Sequence, residues 1–391
     1  MVVVETLYVR NILNSMGLYS IEAEVHLKTG EIGLASAAVA IRGGKREKLI
    51  TAEIHKKISD YNSRIQILRG EVLNQEEWDE KLESYMTIWG SDITLSLSLA
   101  FARAAALNMG ETVTNYLQKL CHNTILNKRK KYLIPVFSGG VHSKGVPESI
   151  QQIMFEIDSK EFQVTVDEIL EFYSEIERTI IDSGWLCGYS SSSGFMTKNL
   201  AVERQLDVLT DTIQRSVYAD HMSIALDVAA EHLKSDGGYR FYGEQLTADQ
   251  MQKRLIQFSR DYPISYIEDP FDSLDRKHWL MIRDELKDTC VIFADDFTAT
   301  QTQYMDSEIA DGIIIKMKQA GTLSETLRTI GRTKKSGMMK CVSHRSYETE
   351  DNFMCDLGVA INAEYMKIGG PRRGDRVSKY NQLLRIFSTM S

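Results

Sequence analysis

Gly312-Ile-Ile-Ile-Lys316 is a short apolar run that ends on a charge. Four residues are too few for a helix and suit a strand buried on both faces. A lysine at the end of such a strand is how a barrel delivers a functional side chain to its C-terminal rim. Three other stretches read in the same way: Ile224-Ala-Leu-Asp227, Ile267-Glu268-Asp269-Pro270-Phe271 and Ala294-Asp295-Asp296-Phe297. Between and before them the apolar spacing changes to that of amphipathic helices, as in residues 166–182 and 250–262, with a further strand at Tyr132-Leu-Ile-Pro-Val136. Strands alternating with helices predict a β/α barrel.

The barrel does not account for the whole chain. At 391 residues there is room for a barrel plus a smaller domain. In residues 5–27, Ile21, Ala23 and Val25 alternate with Glu22, Glu24 and His26, the pattern of half-buried antiparallel strands. A helical pattern follows over residues 93–120, and a polar, basic linker over 121–131. This predicts a small α+β domain over 1–125 and a barrel over 133–391. The net charge of −8 opposes a nucleic-acid surface. Five cysteines, odd in number and without CxxC spacing, suggest neither a disulfide framework nor a zinc site. The longest apolar stretch, 93–107, is interrupted by Arg103 and is too short for a bilayer, and the first residues lack the basic start of a signal peptide. The expectation is a cytoplasmic protein with no membrane partner.

Asp227, Glu268 and Asp295 stand at strand ends one or two β/α units apart, so a barrel would gather them on one rim. Three carboxylates, completed by water or substrate oxygens, suit magnesium. The plainer reading makes Asp227 and Asp295 solvated turn residues or helix caps and Glu268 an ion-pair partner. Lys316, in an otherwise apolar strand, is a candidate general base, since burial of a lysine is costly unless it is paired or its pKa is lowered. Its alternative is an ammonium that snorkels to the rim. Lys318 would share its face of the strand. His344-Arg345-Ser346 offers a guanidinium fork and a hydroxyl donor that suit a phosphate, and Lys367 adds a point charge. A structural ion pair would explain any of these singly.

Longer motifs carry a family resemblance. They include Asn11-Ile-Leu-Asn-Ser15-Met-Gly17, Ser138-Gly-Gly-Val-His142, Gly243-Glu-Gln-Leu246, Gln319-Ala-Gly-Thr-Leu-Ser-Glu-Thr-Leu327, Ser343-His-Arg-Ser-Tyr-Glu-Thr-Glu-Asp351 and Lys379-Tyr-Asn-Gln-Leu-Leu-Arg385. Through them the chain resembles the enolase (phosphopyruvate hydratase) family over nearly its whole length. The resemblance implies an enolase-like α/β fold, an N-terminal α+β domain capping a C-terminal TIM-type barrel. It also implies a homodimer or a ring of dimers, and a magnesium-dependent lyase of glycolysis that interconverts 2-phosphoglycerate and phosphoenolpyruvate. Asp227, Glu268 and Asp295 would hold the first magnesium, and Lys316 would remove the C2 proton. His142 would line the substrate pocket, and His344, Arg345, Ser346 and Lys367 would hold phosphate and carboxylate.

The departures concern the leaving group. Where the family has a Gly-Asp-Glu-Gly-Gly loop, this chain reads Gly188-Tyr-Ser-Ser-Ser-Ser-Gly-Phe195, with serine in the acid's place. The expected Gln-Glu pair after His142 reads Gln151-Gln152, which puts an amide at Gln152 near the substrate. The lid serine of the second magnesium has only Ser36 as a weak match, and the usual asparagine two residues after the base is Lys318. These changes make that side of the pocket more positive and favour a more anionic ligand there, a phosphonate or second carboxylate. They leave three readings: a phosphopyruvate hydratase in which Glu148, for instance, replaces the missing acid; an enolase-like enzyme of secondary metabolism, similar to the carboxyphosphonoenolpyruvate synthases; or a non-catalytic binding protein.

Overall fold

A computed structural model describes residues 1–38, 57–123, 129–140, 148–198 and 200–389 of the chain. Its N-terminal part is an antiparallel sheet of β1 (Val2–Leu13), β2 (Tyr19–Leu27), β3 (Ile32–Ala37) and β4 (Val72–Leu73), in the order β3-β2-β1-β4. The helices beside it are α1 (Ile58–Ile65), α2 (Gln75–Trp89), α3 (Ser91–Asn108) and α4 (Val113–Leu120). Ile21, Ala23 and Val25 on β2 are fully buried, as their alternation predicts. The central helix α3 lies so close to the sheet that a Cβ on Gly33 would come within 1.8 Å of the Ala100 carbonyl oxygen. Almost the whole of α3 is buried, which explains its long apolar run without a membrane. Among the described residues no single helix is long and apolar enough to cross a bilayer.

The second part begins with β5 (Lys130–Ser138) and β6 (Gln152–Ser159). Then come α5 (Phe162–Asp182), the hairpin β7 (Leu186–Tyr189) and β8 (Phe195–Thr197), α6 (Val202–Arg215) and β9 (Met222–Asp227). A three-stranded flap of β10 (Lys234–Ser235), β11 (Gly238–Phe241) and β12 (Glu244–Leu246) precedes α7 (Ala248–Asp261) and β13 (Ile264–Glu268). α8 (Arg276–Leu286), β14 (Val291–Ala294), β15 (Gly312–Ile315), α9 (Met317–Ala320) and α10 (Leu323–Lys335) follow. The chain ends with β16 (Met339–Ser343), α11 (Phe353–Ala360), β17 (Tyr365–Lys367) and α12 (Gly374–Ser388). β5, β6, β9, β13, β14, β15, β16 and β17 pair in that order, and β17 pairs back onto β5. The result is a closed eight-stranded barrel under an α+β cap.

Seven barrel strands run parallel, and β6 runs antiparallel to both its neighbours. Each strand gives one side chain to a separate interior cluster: Leu133, Met154, Ala225, Tyr266, Phe293, Ile314, Cys341 and Tyr365. The barrel is therefore a packed core and not a pore. Gly312 is required by this filling, since a Cβ there would lie 2.4 Å from the Phe293 ring. Because side chains alternate along a strand, the residue two positions beyond each interior residue also faces inward, one layer higher. Those positions are Asp227, Glu268, Asp295, Lys316, Ser343 and Lys367, with Pro135 on β5, where a bulge follows. On antiparallel β6 the count runs backward from Met154 and reaches Gln152, which lies opposite Asp227 and Ser138 in register.

The basic stretch predicted as linker is partly strand. β5 starts at Lys130, whose ammonium is buried and bonds the Ala363 carbonyl at 3.2 Å. Lys131 pairs with Glu156 at 2.6 Å. Partners from β6 and the β17 approach, distant in sequence, allow these lysines to join the sheet.

Candidate active site at the barrel rim

β9, β13 and β14 are neighbours, so Asp227, Glu268 and Asp295 fall side by side at the rim. All three are buried, at 2%, 0% and 6% exposure, so none is a solvated turn residue. Lys367 stands at the end of β17 and sends its ammonium between two of them, 2.7 Å from Asp227 Oδ2 and 3.0 and 3.1 Å from the two oxygens of Glu268. Lys316 donates to Asp295 Oδ2. Gln151 Nε2 adds a bond to Asp227 Oδ2 at 3.2 Å. Five ionisable groups that lie far apart in sequence thus form two adjoining ion-paired sets, Lys367 with Asp227 and Glu268 and Lys316 with Asp295, coupled by their charges.

Its electrostatics follow from burial. Loss of water and the neighbouring Asp227 push the Glu268 carboxyl up to about 8, against the pull of Lys367. Burial alone would lower the Lys316 ammonium, but Asp295, with help from Glu268 and Asp296, outweighs it and holds the pKa above the usual lysine value. Lys367 is likewise held protonated by Asp227 and Glu268 despite its burial. The two ammonium groups offset most of the carboxylate charge, and one of them would give way to a metal cation. The donors are oxygens alone, and Asp295 Oδ1, buried, has no hydrogen-bond partner among the described residues. Oxygen donors suit a hard divalent ion such as magnesium, and the carboxylates whose oxygens come within 4.8 Å of one another are those of Asp269, Asp295 and Asp296.

The phosphate-type groups lie beyond β16. His344 is buried and its backbone N–H bonds the Lys367 carbonyl at 3.0 Å. Burial, reinforced by Arg376, Lys367, Lys316 and Lys379, keeps its imidazole neutral. Arg345 is buried, and its charge acts on both Asp295 and Lys316. The Ser346 side chain is half-buried, and its carbonyl accepts from Arg376 Nη2 at 3.0 Å. Lys316, Lys318, Ser343 and Arg345 share a small cavity of about 40 Å³ with Ser36 of β3 and Ala38 just beyond it, so the cap closes over the rim here. Ser36 spends its hydroxyl on Thr349, at 2.7 Å.

Gln152 lies apart from the ion network. Its Nε2 donates to Ser192 Oγ at 3.1 Å, so the two positions that depart from the family pattern touch each other. His142 lies outside the described residues.

Two expectations are corrected. Lys318 does not share a strand face with Lys316, because the strand stops at Ile315 and Lys318 sits in the short helix α9. It does line the small cavity beside Lys316 and Arg345, but its side chain, 2% exposed, pairs with the wholly buried Asp92 of α3, which offsets its charge. The expected preference for an extra anion loses that support. Glu148 accepts from Arg240 Nη1 at 2.9 Å, in a partly exposed ion pair.

Asp269 is a residue the sequence reading passed over. Its carboxylate accepts the backbone N–H groups of Asp295 and Asp296, both at 2.9 Å, and thereby fixes the turn that carries Asp295. Carboxylate oxygens of Asp269, Asp295 and Asp296 lie within 4.8 Å of one another. Burial, then Asp296 and Asp295, raises the Asp269 carboxyl well above the usual range, and Asp296 is pushed up to about 6. The signal was present in the acidic doublets Glu268-Asp269 and Asp295-Asp296.

A capped β/α barrel with a carboxylate and lysine network at the C-terminal rim defines the class. The family description "Enolase, C-terminal TIM barrel domain" matches residues 132–391, and the chain belongs to the enolase family. Members of its superfamily generally use magnesium.

Proposed function

We propose that the chain is a magnesium-dependent lyase that interconverts 2-phosphoglycerate and phosphoenolpyruvate, with Lys316 as the base at C2. The observation that carries this reading is the convergence of Asp227, Glu268, Asp295, Lys316 and Lys367 on adjoining strand ends. A proton next to a carboxylate is weakly acidic, and its loss leaves a second negative charge on the carboxylate oxygens. Magnesium held by Asp227, Glu268 and Asp295 would supply the compensating charge, a pairing of ion and lysine base general to the enolase superfamily. Lys316 must lose its own proton first. Its strongest support is Asp295, so engagement of Asp295 by a cation lowers the Lys316 pKa toward the range a base needs.

In this reading His344, Arg345, Ser346 and Lys367 would bind phosphate and carboxylate, with Gln152 toward C3 and a pocket role for His142 as the family resemblance implies. The partners are a small phosphorylated or phosphonate carboxylate and further copies of the chain, in the cytoplasm and away from nucleic acid and membrane. The exposed Leu13, Met16, Leu18 and Tyr19 around the β1–β2 turn support self-association, since apolar side chains grouped this way favour burial against a partner.

The test follows phosphoenolpyruvate formation and C2 deuterium exchange from 2-phosphoglycerate with magnesium, for the wild type and Lys316→Ala. Lys316-dependent exchange is expected. Exchange that survives in a folded Lys316→Ala protein would overturn the assignment.

A further inference from the structure

β6 and β15 are four strands apart whichever way the closed barrel is counted, so Gln152 and Lys316 end opposite one another across its mouth. The two sides differ in kind. Around Gln152 the bonded groups are an amide and hydroxyls: Gln152 Nε2 to Ser192 Oγ at 3.1 Å, Ser192 to Ser190 at 3.0 Å, and Ser190 to Ser138 at 2.8 Å. Gln152 is 3% exposed, and its Oε1 has no hydrogen-bond partner among the described residues. A buried acceptor left open is costly, and a donor on a ligand would satisfy it.

The serine loop is fixed in place. Arg376 Nη2 bonds the Ser191 carbonyl at 2.9 Å, the Gly370 N–H bonds the Ser192 carbonyl at 2.9 Å, and Tyr173 donates to the Ser193 carbonyl. A Cβ on Gly194 would lie 2.3 Å from Ser138 Oγ, so the loop rests directly on β5. Among the described residues the cluster is built, buried and without an acid.

We propose that this neutral cluster receives the substituent on the carbon beside the one that loses its proton, and binds that substituent without protonating it. The inference rests on the Lys316 reading given above. When Lys316 Nζ takes the C2 proton, the electron pair passes to the carboxylate oxygens. Its return forms the C2–C3 double bond and breaks the C3–X bond. If X is hydroxyl, the leaving oxygen needs a proton, and neither the Gln152 amide nor a serine hydroxyl is an acid able to give one near neutral pH. Accepting the hydroxyl's hydrogen bond at Gln152 Oε1 adds electron density to that oxygen and makes it a poorer leaving group still. If X is a halide, it departs as the anion and no acid is required. The chain therefore exchanges the C2 proton faster than it expels hydroxide, so that it turns 2-phosphoglycerate over slowly, and it eliminates fastest from substrates with a stable leaving anion.

The experiment compares two substrates on the wild-type protein with magnesium: 2-phosphoglycerate and its 3-chloro analogue. C2 deuterium exchange, phosphoenolpyruvate formation and chloride release are followed together. With 2-phosphoglycerate, exchange should outrun elimination by about a hundredfold, the scale of a missing general acid. With the chloro analogue the two rates should match. Gln152→Glu, or Ser192→Asp if the first variant does not fold, should narrow the gap for 2-phosphoglycerate. Exchange and elimination at equal rates with 2-phosphoglycerate would overturn this inference and leave the Lys316 reading standing. Absence of exchange with either substrate would sink both.

Discussion

The two halves of the rim are built on the same barrel and differ in what the strands end on. β9, β13, β14, β15 and β17 lead to Asp227, Glu268, Asp295, Lys316 and Lys367, which pair as Lys367 with Asp227 and Glu268 and as Lys316 with Asp295. β5 and β6 lead to Ser138 and Gln152, bonded through Ser190 and Ser192. Beneath both halves the interior cluster takes one residue from every strand. Strand alternation thus fixes where a rim side chain stands, and residue type alone decides whether that side moves a proton or only accepts a hydrogen bond.

The sharpest way to break this contrast is to remove the base. Lys316→Ala should lower C2 exchange by about a hundred- to ten-thousandfold, as loss of a positioned base does, with circular dichroism unchanged. Lys367→Met tests how the charged half is held together. It leaves Asp227 and Glu268 buried without their shared cation, and such losses cost about 3–5 kcal/mol. Denaturation midpoints should fall accordingly, and magnesium should raise the variant's stability more than the wild type's; equal shifts in both would separate the ion from these carboxylates.

Asp79 provides a buried carboxylate served by neutral donors only, and so a control for the charged half. Ser324 gives it two bonds, at 2.7 and 2.8 Å, and Gln75 two more, at 3.1 and 3.2 Å. Burial nevertheless pushes it up to about 6 from 3.8. Since the folded protein holds this proton more tightly than the unfolded chain does, the residue's contribution is intact below the unfolded value. It declines as pH rises toward about 6, by up to about 3 kcal/mol for two pKa units. Asp79→Asn should flatten stability over that interval relative to wild type; an unchanged profile would show that the donors suffice. The smallest effect is expected from Glu148→Gln. Its pair with Arg240 is partly exposed and worth about 0–1 kcal/mol, and phosphoenolpyruvate formation should not change. A large loss would make Glu148 an acid for the neutral half after all.

The charged half was legible in the sequence because a strand buried on both faces cannot conceal a charge. Asp227, Glu268, Asp295 and Lys316 each interrupt an apolar run, and the run itself says which way the strand points. What could not be read depends on partners far along the chain. That Lys367 belongs to the carboxylates is set by β17 closing the barrel beside β5. Lys318 was misplaced because nothing in Lys316-Met-Lys-Gln marks the end of a strand; the turn is enforced by Gly321, at φ +88°, and by Asp92 of another domain. The direction of β6 has no local signature either, since strand alternation reads the same both ways.

The seam between β17 and β5 has a consequence for how the molecule reaches this state. Tyr365, Met366 and Lys367 pair with Lys131, Tyr132 and Leu133. The first and last staves of the barrel are thus more than two hundred residues apart, and no shorter piece of chain can close it. Until Tyr365–Lys367 leaves the ribosome, β5 and β16 each present an unpaired edge to any other chain nearby. Such late, long-range closure is slow and exposed to misassembly, so this barrel is a natural client for chaperones during synthesis.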